Sequence, residues 1–480
     1  MTNARRILLT GAAGYIGGRL FDILKQRGFK LTCLVRPFEN YRRLEDGETR
    51  IVFGDALDRD SLKDVFEGVD TAFYLIHSLG SKKDFRDLDR AAAENFSQSA
   101  FEGGVRRVIY LGGLAAPDED VSDHLKSRIE TGDCLRKTGV QVIEFRASII
   151  LGSGSVSFEM IRGLVERLPV MVTPRWVRVE AQPISVDDVL SYLSAAVDLE
   201  TDENRVYEIG GESRVAYMDI MKEYARRRGL KRLMLPVPFL SLKLSSYWLA
   251  LVTPLYADVG RKLIEGVRSP TVVRDPAASR DFDVRPVSFA KAIENALAHE
   301  DRMFEKTPWS KLSESPAAAP KKWGGVRFGN RVAESEVRNV EAGPEKIFDI
   351  ISGPGPFEGF AWRLRGWMDR MAGGPGLRRD RKAPADLRPG ETLDFWRVEA
   401  WEPFKRLKLL SEMKTPGRAW LEFEATPLPD GKTRLRRTVI YDPKGLWGLA
   451  YWHLVFPLHH LVFSAMTGRV ARKAEEAEKG

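Results

Sequence analysis

The chain of 480 residues is longer than one ordinary hydrophobic core requires, so we expect two domains. Its net charge of +8 arises entirely from Glu305 onward, where 31 Lys and Arg residues stand beside 23 Asp and Glu residues. Cys33 and Cys134 are too few for a disulfide framework or a zinc site, and no apolar leader precedes the first predicted strand. We therefore predict a cytoplasmic protein without a metal centre.

A glycine-rich turn follows the first predicted strand. The apolar run at residues 7–9 leads into a Gly-x-x-Gly-x-x-Gly pattern, and an amphipathic helix pattern continues to Gly28. In a dinucleotide-binding turn, such glycines permit a tight turn, close approach of the backbone to a pyrophosphate, and close packing of helix on strand. The phosphates then meet the positive end of the helix. We predict that the cofactor contacts in this turn are Gly11, Ala13, Gly14, Tyr15, Ile16 and Gly17.

This turn resembles the signature of the extended and atypical short-chain dehydrogenases/reductases, and later motifs are similar to the atypical, NmrA-like branch. The resemblance implies a doubly wound parallel α/β sheet of the Rossmann type with a nicotinamide cofactor. The second strand is followed by Arg36, where an NAD-binding fold usually places an acidic residue. A guanidinium there suits a 2′-phosphate, which favours NADP and leaves NAD open; Arg42 and Arg43 are alternative partners for that phosphate.

Two later positions carry cofactor contacts in the resembling family. There the aspartate at Asp55 accepts a hydrogen bond from the adenine amino group, and the next residue, Ala56, lies over the base. At His77 the family's chain passes beneath the cofactor. The residues alone leave other roles open, because Asp55 could cap a helix near Ser61 and His77 could be a packed histidine.

The usual catalytic residues of that family are replaced in this chain. An active member carries Ser or Thr after the fifth strand and then a Tyr-x-x-x-Lys helix. Here Gly112 and Gly113 follow the strand, and His124 and Arg128 stand at the Tyr and Lys spacing on one helical face. Two interpretations remain: His124 donates a proton while Arg128 holds the nicotinamide ribose, or the site has lost turnover and serves a sensor or assembly factor.

The rest of the first domain resembles the family's substrate side. Residues 182–189 are similar to its returning strand and helix cap, and residues 206–211 are similar to its late edge strand. Residues 233–259 are unusually apolar, but prolines and charged residues interrupt them, so no transmembrane span is predicted. We interpret them as a lid over a pocket for a lipophilic substrate, with peripheral membrane contact as the alternative.

The composition changes at residues 305–325, which are rich in Pro, Ser and Ala and indicate a linker between domains at 1–304 and 326–480. Beyond it we predict a helix from Pro344 and antiparallel strands at residues 332–340, 392–401, 406–413, 418–426 and 433–441. No charged residue lies between Lys444 and Arg469. Because Pro457 and three histidines interrupt that segment, we predict a helix covering the sheet rather than a membrane span.

This order of elements resembles the α+β helix-grip fold of the START/SRPBCC superfamily, in which an antiparallel sheet wraps around a long C-terminal helix. It also resembles the uncharacterised domain that is fused behind NmrA-like domains in bacteria. The resemblance implies a site for a hydrophobic ligand in the second domain and names no reaction.

These observations together predict an NADPH-dependent oxidoreductase that acts on a lipophilic carbonyl or quinone-like compound. The alternatives are a non-catalytic NADP-dependent sensor or assembly factor, and a lipid-binding protein peripheral to the inner face of the membrane. Basic residues between Arg363 and Arg388 could face anionic lipid. No nucleic-acid partner is predicted, because neither a helix-turn-helix nor an RNA-binding motif accompanies them, and the sequence indicates no particular protein partner.

Overall fold

The computed structural model describes residues 5–37, 41, 44–77, 85–115, 121–237, 269–310, 318–320, 326–353, 360–371, 373–374, 376 and 387–479. The chain divides into two compact units, Met1–Val165 with Val170–Leu297, and Glu166–Pro169 with Ala298–Gly480. This division comes earlier than the linker that the composition predicts at residues 305–325. Trp309 lies in that range and is buried in an apolar cluster of the second unit, so this part of the predicted linker packs against a core.

The elements up to residue 306 are a mixture of strands and helices. The strands are β1 (Arg6–Thr10), β2 (Lys30–Val35), β3 (Arg50–Phe53), β4 (Thr71–Tyr74), β5 (Arg107–Gly113), β6 (Gln141–Ala147), β7 (Ile150–Leu151), β8 (Val170–Thr173), β9 (Glu180–Ala181), β10 (Ile184–Ser185), β11 (Arg205–Ile209), β12 (Val215–Ala216) and β13 (Leu233–Pro236). The helices are α1 (Tyr15–Gln26), α2 (Phe85–Glu102), α3 (Asp123–Arg136), α4 (Val156–Arg167), α5 (Val186–Ala195), α6 (Tyr217–Arg227), α7 (Ala277–Asp281) and α8 (Phe289–Lys306).

Seven strands of the first unit form one parallel sheet in the order β3-β2-β1-β4-β5-β6-β11. Ile7 and Leu9 of β1 lie in an apolar cluster with α1 and α5, whereas Leu8 lies in another cluster with α2. Because successive strand residues face opposite sides, helices on both faces account for the continuous apolar run. The predicted doubly wound sheet is confirmed. Its order reverses between β1 and β4, where sheets of this type bind ligands beyond the carboxyl ends of the strands.

The substrate-side elements follow the predicted order as far as they are described. Strand β10 ends at Ser185, whose hydroxyl accepts a hydrogen bond of 3.3 Å from the Asp187 N–H and caps α5. Strand β11 is the predicted edge strand and pairs with β6. Strand β13 begins the range 233–259 that the sequence predicts as a lid, and residues 238–259 lie outside the described residues.

The second unit contains an antiparallel sheet and a long last helix. Its strands are β14 (Ala318–Pro320), β15 (Val326–Phe328), β16 (Arg331–Val340), β17 (Thr392–Leu393), β18 (Trp396–Glu402), β19 (Arg406–Ser411), β20 (Gly417–Pro427) and β21 (Thr433–Pro443). Its helices beyond α8 are α9 (Pro344–Ser352), α10 (Phe360–Met371) and α11 (Gly445–Lys479). The strands pair antiparallel in the order β14-β15-β16-β21-β20-β19-β18-β17, which confirms the predicted sheet and helix.

One predicted strand of this sheet is divided. The pattern at residues 392–401 predicts a continuous strand, but β17 and β18 are the arms of a tight hairpin in which Leu393 pairs with Trp396. Asp394 adopts a φ of 58° in the turn, a conformation that aspartate tolerates better than most residues. Phe395 and Trp396 are adjacent and both buried, so the alternation is interrupted at the turn, and that interruption was the available signal for a reversal.

The two faces of the antiparallel sheet pack against different elements of the chain. Leu407, Leu409 and Phe423 lie in the core that α11 covers. On the other face, Trp420 packs with Phe304 and Trp309, which follow Ala298 in the chain and therefore belong to the same unit. These aromatic contacts cover sheet positions where charged residues are also buried.

Lys408 on β19 is one of these buried charged residues. Its ammonium lies 3.2 Å from a carboxylate oxygen of Glu399 and donates a 2.6 Å hydrogen bond to the Phe304 carbonyl. Burial lowers the pKa of Lys408 to about 8, although Glu399 and Glu422 oppose that shift and Arg406 adds to it. The folded protein therefore releases this proton at a lower pH than the unfolded chain, in which lysine titrates near pKa about 10.4.

This difference predicts a stability that rises with pH. Between about pH 8 and pH 10 the unfolded chain keeps a lysine proton that folded Lys408 has lost, so the free energy of unfolding increases across that window, by about 2 kcal/mol in total. Urea unfolding of wild type and Lys408→Met at matched pH values measures the effect. The rise should be absent from Lys408→Met and present in Lys405→Met, which removes an exposed lysine of the same unit; equal slopes in all three would contradict the assignment.

Candidate functional site

The candidate cofactor residues lie at one edge of the parallel sheet. Each follows the carboxyl end of a different strand, and the parallel registers Thr10 with Leu34, Val35 with Phe53 and Phe73 with Ile109 bring those ends together. In sheet order, the residues beyond or at the strand ends are Asp55, Arg36, Gly11, His77 and Gly113. The structure therefore gathers at the predicted binding edge residues that are scattered over about a hundred positions of sequence.

The glycine turn after β1 leaves no space for side chains. Gly11 has a φ of +64°, and a Cβ there would lie 2.9 Å from the Leu75 carbonyl oxygen. A Cβ on Gly17 would lie 2.2 Å from the Gly11 carbonyl oxygen. Gly14 begins α1 without a side-chain cap, and the first turn of α1 contains no acidic residue. The amides of Tyr15, Ile16 and Gly17 are therefore available at the positive end of the helix for a phosphate, as predicted for a dinucleotide site.

Tyr15 connects this turn to the substrate-side loop. A Cβ on Gly152 would lie 2.3 Å from the Tyr15 hydroxyl, and one on Gly154 would lie 3.3 Å from the ring. The Arg19 guanidinium stacks 4.4 Å from the ring centroid, and burial raises the pKa of the phenol. The backbone amide of Tyr15 thus belongs to the cofactor turn, while its side chain packs under residues 152–154. The cofactor contact predicted for Tyr15 stays a prediction for its backbone.

Asp55 keeps its candidate role, but it is not a helix cap. Its carboxylate accepts a 3.0 Å hydrogen bond from the Leu57 N–H, which fixes its orientation at the end of β3. The 3₁₀ turn Arg59–Leu62 is capped instead by Asp58, which accepts from the Asp60 N–H. Asn95 of α2 donates to the carbonyls of Ala56 and Leu57 at 3.0 and 3.2 Å and holds the turn from the other side. The sequence analysis did not single out Asn95 for this contact.

Arg36 is exposed directly beyond β2, beside the glycine turn. Arg42 and Arg43, the alternative phosphate partners, lie outside the described residues. The contact with a ribose phosphate that the sequence predicts for Arg36 stays a prediction.

Replacing Arg36 with aspartate is expected to weaken NADP binding by about ten- to a hundredfold and NAD binding much less, because a charge-assisted contact becomes a like-charge repulsion. Titration of both cofactors against wild type and Arg36→Asp gives the two ratios. Lys30→Asp, at the opposite end of β2, is the matched control and should change neither. An equal loss for both cofactors would show that Arg36 only supports the fold.

Two histidines meet beyond β4. The rings of His77 and His124 stack with centroids 5.1 Å apart and planes 22° from parallel. Asp89 of α2, only 3% exposed, places a carboxylate oxygen 3.8 Å from Nδ1 of His77, and Ser127 donates a 2.9 Å hydrogen bond to that same oxygen. The sequence analysis named both histidines but predicted no contact between them. It missed Asp89 and Ser127, although an Asp on the apolar face of α2 and a Ser one turn beyond His124 were the available signals.

Arg128 forms hydrogen bonds with backbone carbonyls at the ends of the central strands. Its guanidinium donates to the carbonyls of Ile76, at 3.4 Å, and Leu111, and it stacks over the Tyr110 ring. The Tyr110 hydroxyl donates to the Arg128 carbonyl at 2.8 Å, which fixes the same residue from its backbone side. Arg128 therefore lies at the predicted edge, where it bridges β4 and β5. The ribose contact that the resemblance implies for it stays a prediction.

Gly113 has a packing reason to be glycine. A Cβ there would lie 2.8 Å from a methyl carbon of Leu125 and 3.8 Å from the Arg128 Cβ. Helix α3 therefore packs the Leu125 side chain against Gly113, and a serine or threonine at this position would require that side chain to move.

No group of three or more His, Cys, Asp or Glu side chains in the described part of the chain is arranged to hold a metal ion. No helix among the described residues combines the length and apolarity needed to cross a membrane.

Comparisons with known proteins agree with the geometry of the first unit. Residues 11–137 match a family model described as NAD(P)H-binding. The first unit therefore has a Rossmann-type fold and is similar to NAD(P)H-binding domains. Residues 332–466 match a family described as "Protein of unknown function (DUF2867)", which agrees with the predicted uncharacterised domain but assigns no activity. The relation to START proteins stays a prediction.

Two curated relatives match part of the chain. "Sterol demethylase protein B" of Methylococcus capsulatus is 30% identical over 113 residues, which cover 23% of this chain and 34% of that protein. "Ceramide reductase" of Caulobacter vibrioides is 25% identical over 173 residues, which cover 35% of this chain and 54% of that protein. The chain thus spans between a third and about half of the length of these relatives.

A solved structure, that of the Citrobacter sp. triphenylmethane reductase complexed with NADP(H), shares the fold with a TM-score of 0.51 at 17% identity. The match covers 60% of this chain and 99% of that one. At this identity the similarity shows a shared fold and nothing more specific.

Proposed function

We propose that the protein is an NADPH-dependent oxidoreductase of the short-chain reductase type, which reduces a carbonyl or quinone-like group on a lipophilic substrate. The observation that carries the proposal is the stacked pair His77 and His124, backed by buried Asp89, at the carboxyl edge of β4 and β5. In a sheet of this order that edge borders the crevice where the cofactor binds, so the histidines stand where a substrate would meet it.

The residues present fit a dinucleotide phosphate. The space that a Cβ would fill at Gly11 and Gly17 allows close approach of the backbone, and Arg36 provides a cation for a ribose phosphate. Asp55 is oriented at the end of β3 for the adenine. Bound NADPH supplies the hydride. The match of residues 11–137 to an NAD(P)H-binding family supports this choice of cofactor.

His124 is proposed to supply the proton. When a carbonyl carbon accepts a hydride, its oxygen gains negative charge, and an imidazole close to that oxygen can transfer a proton near neutral pH. The His77 ring stacks on His124 and orients it, a carboxylate oxygen of Asp89 contacts Nδ1 of His77, and Ser127 holds that carboxylate. His77, Asp89 and Ser127 are positioning residues in this scheme.

The lipophilic class of substrate is supported by the relatives and by the second unit. The two curated relatives are named for a sterol and a ceramide, both of them lipids. The core between α11 and the sheet gathers large aromatic side chains, two of them from α11 itself: Trp362, Phe395, Trp396, Trp452 and Phe463. We propose that this unit binds or presents the hydrophobic compound, which agrees with the helix-grip resemblance.

The second candidate is a sensor that binds NADP without turnover. It is favoured by Arg128, whose guanidinium bonds the carbonyls of Ile76 and Leu111, and by Gly113, which replaces the family's hydroxyl. Both candidates require cofactor binding and differ in turnover.

Two measurements on the same sample distinguish the reductase from the sensor. NADPH binding is titrated by its fluorescence, and NADPH oxidation is followed in the same preparation against quinones, enones and long-chain lipid ketones. Oxidation that depends on one of these compounds supports the reductase. Tight NADPH binding with no oxidation across the panel favours the sensor, and no binding of either cofactor would overturn both candidates.

A further inference from the structure

The last helix of the second unit presents an apolar stripe to the solvent. Four large side chains on α11 are at least 60% exposed: Trp447, Leu454, Leu458 and Leu461. With about 100° of rotation per residue, they lie within an arc of about 60° on the helix. The opposite side of α11 is already used, because Trp452, Phe463 and Met466 pack into the core of the unit. The helix therefore has one apolar face packed against its own sheet and a second apolar face exposed to solvent.

Charge is absent along the stripe and concentrated at its ends. No Lys, Arg, Asp or Glu lies between Lys444 and Arg469, whereas an exposed face of a helix usually carries such residues. Lys444 is exposed at one end, and Arg472, also exposed, follows Arg469 at the other. An apolar stripe bounded by cations is the pattern of a helix that lies in a membrane interface.

The charge of the unit selects among the partners that could cover the stripe. From Glu305 onward the chain carries 31 basic and 23 acidic residues, an excess equal to the net charge of +8 of the whole protein. A second copy would bring two such excesses together, which opposes association, whereas an anionic lipid surface attracts them. Trp447, which is 82% exposed, is the residue type that favours the boundary between headgroups and acyl chains.

We propose that the stripe at residues 447–461 binds the surface of an anionic phospholipid membrane, with α11 lying in the plane of the interface. Its apolar side chains enter the headgroup boundary, and Lys444 and Arg469 meet lipid phosphates. The absence of a spanning helix among the described residues agrees with contact at the surface rather than insertion across the bilayer. The proposal does not depend on turnover, although a lipophilic substrate would be reached at the same surface.

Flotation of the full chain with vesicles tests this binding without cofactor or substrate. We expect the protein to float with phosphatidylcholine vesicles that contain phosphatidylglycerol, to float much less with phosphatidylcholine alone, and to be released in part by high salt. The triple variant Leu454→Gln, Leu458→Gln, Leu461→Gln should lower the partition coefficient by about tenfold or more, and Trp447→Gln should lower it further. All four side chains are exposed, so circular dichroism and the unfolding midpoint should match those of wild type.

Phe101→Gln is the matched control, because Phe101 is 55% exposed on the first unit and should leave flotation unchanged. Equal flotation of wild type and the triple variant would overturn the proposal, as would binding that ignores phosphatidylglycerol. Light scattering on the same samples tests whether the stripe instead binds a second copy of this chain. A dimer that the stripe variants convert to monomer, with no change in vesicle binding, would assign the stripe to a second copy and would also overturn the proposal.

Discussion

Replacing His124 with alanine is expected to lower kcat by about a hundredfold or more while leaving the Kd for NADPH nearly unchanged. Its ring stacks on His77 at the carboxyl edge of the sheet, where it can donate a proton, and the His124 side chain is not itself among the predicted cofactor contacts. General acid catalysis contributes about that factor, and a contact made only during reaction lowers kcat rather than binding. Steady-state rates and a binding titration on the same variant measure both quantities.

The control for this prediction is Lys126→Ala, two residues further along α3, which should leave kcat unchanged. Asp89→Asn tests the positioning role: it keeps the size of the side chain but removes its charge, and we expect a smaller loss of kcat together with a shifted pH profile. Unchanged turnover in His124→Ala would rule out the proton-donor role. The sensor would then be the better interpretation.

The substitution Gly17→Ala is expected to weaken NADPH binding by at least about a hundredfold and to lower the unfolding midpoint. The added Cβ would lie 2.2 Å from the Gly11 carbonyl oxygen, and both atoms belong to backbone that no rotamer change can move apart. The first turn of α1 must therefore shift away from the strand, and the amides proposed to bind the phosphates shift with it. Calorimetric titration and thermal unfolding give the two readouts.

Gly343→Ala is a suitable control for Gly17→Ala. Gly343 also stands at the start of a helix, α9, but a Cβ there would meet the ends of the Glu345 and Glu478 side chains, at 3.2 and 3.9 Å. We expect full NADPH binding and a small change in stability. Normal NADPH binding in Gly17→Ala would mean that the turn does not hold the cofactor.

The parts of the fold that local pattern determines were predictable. The apolar run before Gly11 and the spacing of Gly14 and Gly17 indicated a strand, a turn and a helix, because each requirement concerns neighbouring residues. The alternation in β20 and β21 likewise indicated an antiparallel pair. The break at Asp394 was missed, although the adjacent buried residues Phe395 and Trp396 interrupt the alternation there.

The arrangement of the candidate site depends on contacts between distant elements. His77 and His124 are far apart in sequence, and their stacking requires the segment beyond β4 to meet the first turn of α3, which no local pattern indicates. The position of Arg128 was inferred from its spacing, yet its guanidinium donates to two strand-end carbonyls that the spacing could not indicate. Periodicity identifies the face of a helix but not the atoms that this face meets.

The segment around Phe304, which packs on the face of the antiparallel sheet opposite α11, determines where the chain can be cut into fragments. Arg331 and Lys408, both buried, take their partners from Glu300, Asp301 and the Phe304 carbonyl, all of which precede the predicted linker. A fragment that begins at residue 326 keeps the sheet and the contact of Lys408 with Glu399, but it loses both carboxylates that pair with Arg331 and the Phe304 carbonyl. A fragment or a fusion that keeps these partners would have to begin before residue 298, inside helix α8, and carry that half-helix with it.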